Sequence, residues 1–375
     1  MSTNILIVGD IVNTTKTESF IDSKLEKVIN DQDFAICNFE APVDGKGGKF
    51  EKAGPNISQK THTIEILKKS GFNLLLLANN HMYDYGFEGL RDTISLARKH
   101  KLDVIGAGTS FKEAYTPFIK EFNGLKIGFV NASEAQFGVL DGDNLNQTSG
   151  YAWINHSLID ESIITLKNKV DKIVVCAHAG LENYPIPLTQ WKERYRRLCD
   201  LGADCIIGSH PHIPQGFELY KRKPIFYSLG NFYFDTQSFT NSPDYSFSVI
   251  LKITKMDILF DLIYHYKQNG KVRLLSQNEV PFDIQELNDQ LENPIEIEKM
   301  YIDAYNSITK KYFASIYNSY LLSDTLLQLV KKTALKFIYF KKYKLKREYL
   351  LQHLLRNETY RWVTVTAIEL LNRKK

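Results

Sequence analysis

Polar residues able to do chemistry follow short apolar runs at widely separated places in the chain. Asp10 closes a Val-Gly-Asp triplet and Glu40 an Asn-Phe-Glu triplet. Asn79, Asn80 and His81 follow a leucine run, His178 ends Val-Val-Cys-Ala-His, and His210 and His212 flank Pro211 after Ile-Ile-Gly-Ser. Taken singly, each has an ordinary explanation. An Asp after Gly is commonly a turn residue, and a loop His is usually solvated. His210 and His212 would point the same way if their segment stays extended. Carboxylates and imidazoles gathered at one place would repel or lose hydration unless positive charge sat among them, and a divalent cation is the simplest partner. Histidine, carboxylate and Asn-carbonyl donors without thiolates suit Mn, Fe or Zn. An all-oxygen Mg or Ca site would not need three imidazoles. Six candidate ligands exceed what one tetrahedral ion takes, so one or two ions are expected, two being bridged by a carboxylate. Such sites support metal-assisted hydrolysis.

The elements that must carry these residues alternate. Buried strands are expected over residues 5–9, 34–39, 73–78, 125–132, 172–178 and 204–209. Helical patterns fall between them at 60–70, 87–100, 156–169 and 189–201. This alternation predicts an α/β layered domain, and open α/β sheets bind ligands beyond the carboxyl ends of their strands. From Gly216 to about Leu275 strands follow one another without helices, which reads as an antiparallel meander, with its clearest hairpin turn at Asn269-Gly270. Beyond about Asp283 glycine nearly vanishes and apolar residues recur at helical spacing. A catalytic domain over residues 1–280 and a basic helical region over 281–375 are therefore expected.

Composition sets outer bounds. The 375 residues are 43% hydrophobic and 24% charged, enough apolar material for a sizeable core. The apolar runs are too short to span a bilayer, and the N-terminus enters a strand-like run without a leader pattern, so a cytoplasmic protein is expected. Cys37, Cys176, Cys199 and Cys205 form no C-x-x-C pair and read as buried thiols rather than a disulfide framework.

The blocks GD, NFEAP, ANNHMYDYG, AHAGLE, GSHPHIPQ and YSLGNFYFD, in that order, resemble the poly-gamma-glutamate capsule biosynthesis (CapA-type) family of the calcineurin-like metallophosphoesterase superfamily. The resemblance covers about residues 4 to 255. It implies a four-layer αββα sandwich. It also implies metal ligation by Asp10, Glu40 (bridging), Asn80, His178, His210 and His212. His81 takes the place of the acid that protonates a leaving group, with Asp84 behind it as an orienting carboxylate or a helix cap. Asn79 becomes a candidate substrate-binding amide; Asn231, after the strand of the GNF block, is expected to touch a substrate oxygen or the metal shell, or to be a plain turn residue.

Two departures from the pattern bear on function. The superfamily opens Asp-x-His, whereas Ile11 and Val12 follow Asp10; one metal position is expected to be weak, empty or differently ligated. The family's His-Trp-Gly-x-Glu-Tyr block has Ala179 and Asn183 here, with Glu182 retained, so the pocket wall and the substrate are expected to differ.

The C-terminal region is basic. From Gln328 to Lys375 there are 13 Lys and Arg against 3 Asp and Glu, although the whole chain has a net charge of only +4. Residues 331–347 interleave cations with Leu, Phe, Ile and Tyr, as a helix with an apolar stripe would. Packing on the body is one expectation. Attraction to an anionic membrane surface, placing the protein at the inner membrane face, or to polymer-synthase subunits is another. Nucleic acid ranks last, because no nucleic-acid fold signature accompanies the aromatics.

The leading expectation is a metal-dependent hydrolase acting on a phosphoester or amide bond of a small-molecule or polymer substrate in capsule or cell-envelope assembly. The alternatives are a metal-dependent peptide epimerase with His81 and Glu182 as bases, and a non-catalytic assembly factor of a polymer synthase.

Overall fold

The computed structural model describes residues 2–45, 47–142, 146–236, 243–310, 312–313, 316 and 348–373. The basic stretch 331–347 lies outside the described residues. The chain divides into two compact units, residues 1–50 with 56–292, and residues 51–55 with 293–375.

The first unit begins β1 (Thr3–Asn13), α1 (Ser23–Asn30), β2 (Phe34–Phe39), α2 (His62–Lys69), β3 (Leu74–Leu76), α3 (Gly86–Lys99) and β4 (Asp103–Ile105). It continues β5 (Ala107–Gly108), α4 (Phe111–Tyr115), β6 (Phe118–Phe122), β7 (Leu125–Ser133), β8 (Val139–Leu140), β9 (Gly150–Ala152), α5 (Ser157–Leu166), β10 (Lys172–His178), α6 (Thr189–Leu201) and β11 (Cys205–Ser209). It closes with β12 (Phe217–Tyr220), β13 (Lys223–Phe226), β14 (Asn231–Asp235), β15 (Tyr245–Ile253), β16 (Ile258–Gln268), β17 (Lys271–Leu274) and α7 (Ile284–Gln290). The strands and helices predicted between residues 5 and 209 are all present, and β2, β10 and α6 have the expected limits.

Two large sheets result, one ordered β17-β16-β15-β1-β2-β3-β4 with β14 also on β1, the other β12-β13-β11-β10-β7-β6. Alternation within each strand explains how they stack. Ile5 and Ile7 of β1, Ile36 of β2, Phe129 of β7, Val174 of β10 and Ile207 of β11 share one buried cluster between the sheets. Leu6 and Val8 face the other way, onto Leu25, Ile29, Ile64, Leu67, Leu90 and Ile94 of α1, α2 and α3. Helices α5 and α6 pack on the second sheet, with Ile163, Trp191, Tyr195 and Leu198 buried. The outcome is the expected four-layer α/β sandwich. All four cysteines are buried and free.

The segment after Gly216 departs from a simple meander. Strands β12 and β13 pair as a hairpin in the second sheet, whereas β14 crosses to the first sheet and runs parallel to β1. Only β15, β16 and β17 form the expected antiparallel succession. The Asn269-Gly270 turn has positive φ at both residues (51° and 72°), as a two-residue hairpin loop requires. The first unit also runs to Glu292, past the expected limit at 280. Asn288 Oδ1 accepts the Phe217 N–H at 2.7 Å, and Lys192, almost fully buried, holds the Leu291 carbonyl and the Glu292 carboxylate.

The second unit is helical where described: α8 (Pro294–Ala304), a π-helical turn (Tyr305–Thr309) and a helix Glu358–Arg373. Asn293 caps α8, accepting the Ile295 N–H at 3.1 Å, and Pro294 occupies its first turn. Met300, Tyr301 and Ala304 are buried on α8, as are Val363 and Ala367 on the last helix. Among the described residues no helix is long and apolar enough to cross a membrane.

Candidate metal centre

The centre is built on a bulge in β1. The pairing register slips at Gly9 on the β2 side and just after Asp10 on the β14 side. Gly9 allows this, because a Cβ there would lie 1.9 Å from the Gly230 carbonyl oxygen. Asp10 therefore sits inside a strand that continues to Asn13, in register with Asn38 of β2 and Asn231 of β14. Asn38 donates to Asp10 Oδ1 at 2.5 Å, and the His210 backbone N–H donates to Asp10 Oδ2 at 3.3 Å.

Glu40 follows β2 directly. It is fully buried, and neither carboxylate oxygen has a hydrogen-bond partner among the described residues. Buried carboxylates are ordinarily paired, since desolvating an ionised carboxyl is costly. Two imidazoles face Glu40: its Oε1 is 3.7 Å from His178 Nε2 and 3.8 Å from His212 Nε2. Burial, and then the Asp10 charge, hold the Glu40 carboxyl well above the usual range.

The histidines come from two adjacent parallel strands of the second sheet. His178 ends β10. Its Nδ1 is 3.0 Å from the Asn38 amide and its Nε2 is 3.1 Å from Asn80 Oδ1. Burial, helped by the neighbouring His210, pushes its pKa well down, which favours the neutral ring a metal needs. His210 and His212 follow β11, with ring centroids 6.0 Å apart. Their convergence does not come from an extended segment: φ is +99° at His210 and +62° at His212. A left-handed backbone at non-glycine residues costs on the order of 1–3 kcal/mol each and survives only where surrounding contacts hold it. His212 Nδ1 is held by Asn231 Oδ1 at 2.9 Å, with Asp10 Oδ2 at 3.5 Å. Burial alone would lower the pKa of both rings, yet Glu134 raises that of His210 and Asp10 that of His212.

The third strand contributes through the turn after it. Asn79 donates to the Phe39 carbonyl at 3.0 Å and accepts the His81 N–H at 3.3 Å, tying this turn to the end of β2. Asn80 reaches His178. His81 Nδ1 lies 2.7 Å from Asp84 Oδ2, and both are buried. Glu182 stands 3.9 Å from His210 with 27% of its side chain exposed, so it lies on the side open to solvent. Beside Asp84, a cavity of about 230 Å³ is lined by Thr14, Asn56, Ile57, Ser58, Lys60 and Tyr85, among others.

Among the described residues three groups could hold a metal ion: Glu40 with His178 and His210; Asp10 with Glu40 and His212; and Glu182 with His210 and His212. Glu40 is common to the first two, as a bridging carboxylate would be. The buried Glu40 oxygens, without hydrogen-bond partners among the described residues, and the imidazoles aimed at them fit a divalent cation. The structure also brings in residues that the sequence reading missed: Asn38, Glu134 and Gln136. Glu134 followed the end of an apolar strand, the same signal that marked Asp10 and Glu40. Asn38 was a lone amide inside an otherwise apolar strand.

Comparison with known proteins gives the family of the chain. A family model described as bacterial capsule synthesis protein PGA_cap matches residues 5–236. A capsule biosynthesis protein CapA of Bacillus anthracis is 33% identical over 286 residues, which cover 74% of this chain and 64% of that protein. A PGA biosynthesis protein CapA of Bacillus subtilis (strain 168) is 31% identical, over 74% of this chain and 71% of that protein. Among solved structures, the calcineurin-like phosphoesterase YfkN from Bacillus subtilis aligns over 73% of this chain and 88% of its own, at 16% identity and a TM-score of 0.39.

Proposed function

The chain belongs to the PGA_cap family of bacterial capsule synthesis proteins, and from that premise we propose that it is a metal-dependent hydrolase cleaving a phosphoester or amide bond during assembly of a capsule or cell-envelope polymer. One observation carries the reading: a fully buried carboxylate, Glu40, without a hydrogen-bond partner among the described residues and faced by His178 and His212.

Asp10, Glu40, Asn80, His178, His210 and His212 would hold the cation. A divalent ion there neutralises charge on a phosphoryl or carbonyl oxygen and makes water more acidic. The remaining work falls to the chain. Asn38 and Asn231 hold Asp10 and His212 in place. Asp84 accepts a hydrogen bond from His81 Nδ1–H and stabilises the ring as an imidazolium, whose Nε2–H is the proton passed to a leaving group, returning the ring to neutral. Burial of Asp10, Glu40 and the three histidines keeps bulk water out, so charges act at low effective dielectric. Substrate approaches from the Glu182 side.

The test is turnover of an aryl phosphate ester and of a γ-glutamyl peptide with added Mn(II), in the wild type, Asp10→Ala and His210→Ala. Turnover lost in both variants supports the hydrolase. Solvent deuterium entering the peptide without cleavage replaces it with an epimerase. Metal binding without turnover, together with specific capture of a polymer-synthase subunit, replaces it with an assembly factor.

A further inference from the structure

A buried carboxylate outside the ligand set lies behind the centre. Glu134 follows β7, is fully buried and faces His210. Its Oε2 accepts the Gly180 N–H at 3.3 Å, and its Oε1 accepts the Gln136 amide at 2.7 Å and stands 3.5 Å from His210 Nε2. Gln136 turns its own oxygen to the Asn80 amide at 3.4 Å, and Asn80 Oδ1 reaches His178. His210 Nδ1, on the other side of the ring, is buried without a hydrogen-bond partner among the described residues.

We propose that Glu134 is a positioning residue that selects the nitrogen through which His210 binds the cation and, through Gln136, sets Asn80 at the same time. The inference rests on the metal reading of the site. A neutral imidazole carries one N–H and one lone pair. A carboxylate can only accept, so Glu134 holds the proton on Nε2 and leaves the lone pair on Nδ1. A carboxylate behind a metal-bound histidine fixes ring orientation and raises ligand basicity in the same way. Glu134 must accept from Gly180, Gln136 and His210 together, and an isosteric amide cannot, because one of its two ends becomes a donor facing a donor. The Glu134-Gln136-Asn80 chain also joins two strand ends, so His210 and Asn80 are placed by one network.

The experiment is a Co(II) titration of metal-free wild type and Glu134→Gln, following visible absorption, with the melting temperature of each metal-free protein measured alongside. The expected result is Co(II) affinity lower by about 10–100-fold in Glu134→Gln, with an altered absorption spectrum and a melting temperature close to wild type. Unchanged affinity and spectrum in the folded variant overturn the proposal and make Glu134 a packing residue. If Glu134→Gln does not fold, Gln136→Met decides by the same readouts: weaker binding with a changed spectrum supports the network, and unchanged binding overturns it. A wild type that binds no Co(II) overturns the metal reading itself, and that failure shows in the unmutated protein.

Discussion

His81 Nδ1 and the Ile57 backbone N–H both point at one oxygen of Asp84, each at 2.7 Å. The carboxylate thus fixes the imidazole and the loop at residue 57 together, next to the cavity lined by Asn56, Ser58, Lys60 and Tyr85. If His81 is the general acid, His81→Gln lowers kcat by about 10²–10⁴-fold. The loss is larger for an alkyl ester than for an aryl ester, whose leaving group needs no proton. Asp84→Asn shows the same dependence on leaving group with a smaller loss. Equal losses on both esters would remove His81 from that role.

Glu40 makes the chelated protein sensitive to alkali. Its folded pKa is raised, so the folded state binds a proton that the unfolded chain releases above about pH 4.3. Stability of the metal-free protein therefore falls as pH rises from there towards the folded pKa. Glu40→Gln flattens this slope and stabilises the metal-free protein near pH 7 by on the order of 1–2 kcal/mol, at the expense of cation binding. Urea unfolding at several pH values, with a chelator present, measures both.

His265 acts in the opposite direction. It is fully buried between Ser246 and Ser248, at 3.0 Å and 2.9 Å, with Phe232 edge-on at 4.9 Å. Burial pushes its pKa down to about 3. The unfolded chain binds the extra proton between about pH 6.5 and 3, so stability is lost as pH falls through that window, by a few kcal/mol at order of magnitude. His265→Asn removes close to one proton from the acid-side slope. An unchanged slope in that variant would show that His265 is not the group responsible.

Gly9 is the backbone condition for the centre. Gly9→Ala drives a methyl group into the Gly230 carbonyl and separates β1 from the turn that delivers Asn231. A loss of about 1–3 kcal/mol is expected, with weaker cation binding, because Asp10 and His212 lose their register. Unfolding and binding measured on the same preparation test the coupling.

Much of this was legible in the residues. Short apolar runs fixed the strands, and the polar residue after each run pointed to one rim because parallel α/β sheets deliver their strand ends to the same side. Three things were not legible. Strand β14 looked like a meander strand, because a local pattern does not say which sheet a strand joins. The His210-Pro211-His212 segment converges through left-handed backbone, which no residue type there announces. Glu134 carried the right signal but belonged to no recognised block.

The most direct test is equilibrium dialysis of chelator-stripped protein against Mn(II), wild type beside Glu40→Gln, with bound metal counted by elemental analysis. The account predicts one or two bound ions in the wild type and none in the folded variant. No bound ion in the wild type, or equal binding by both proteins, would contradict it.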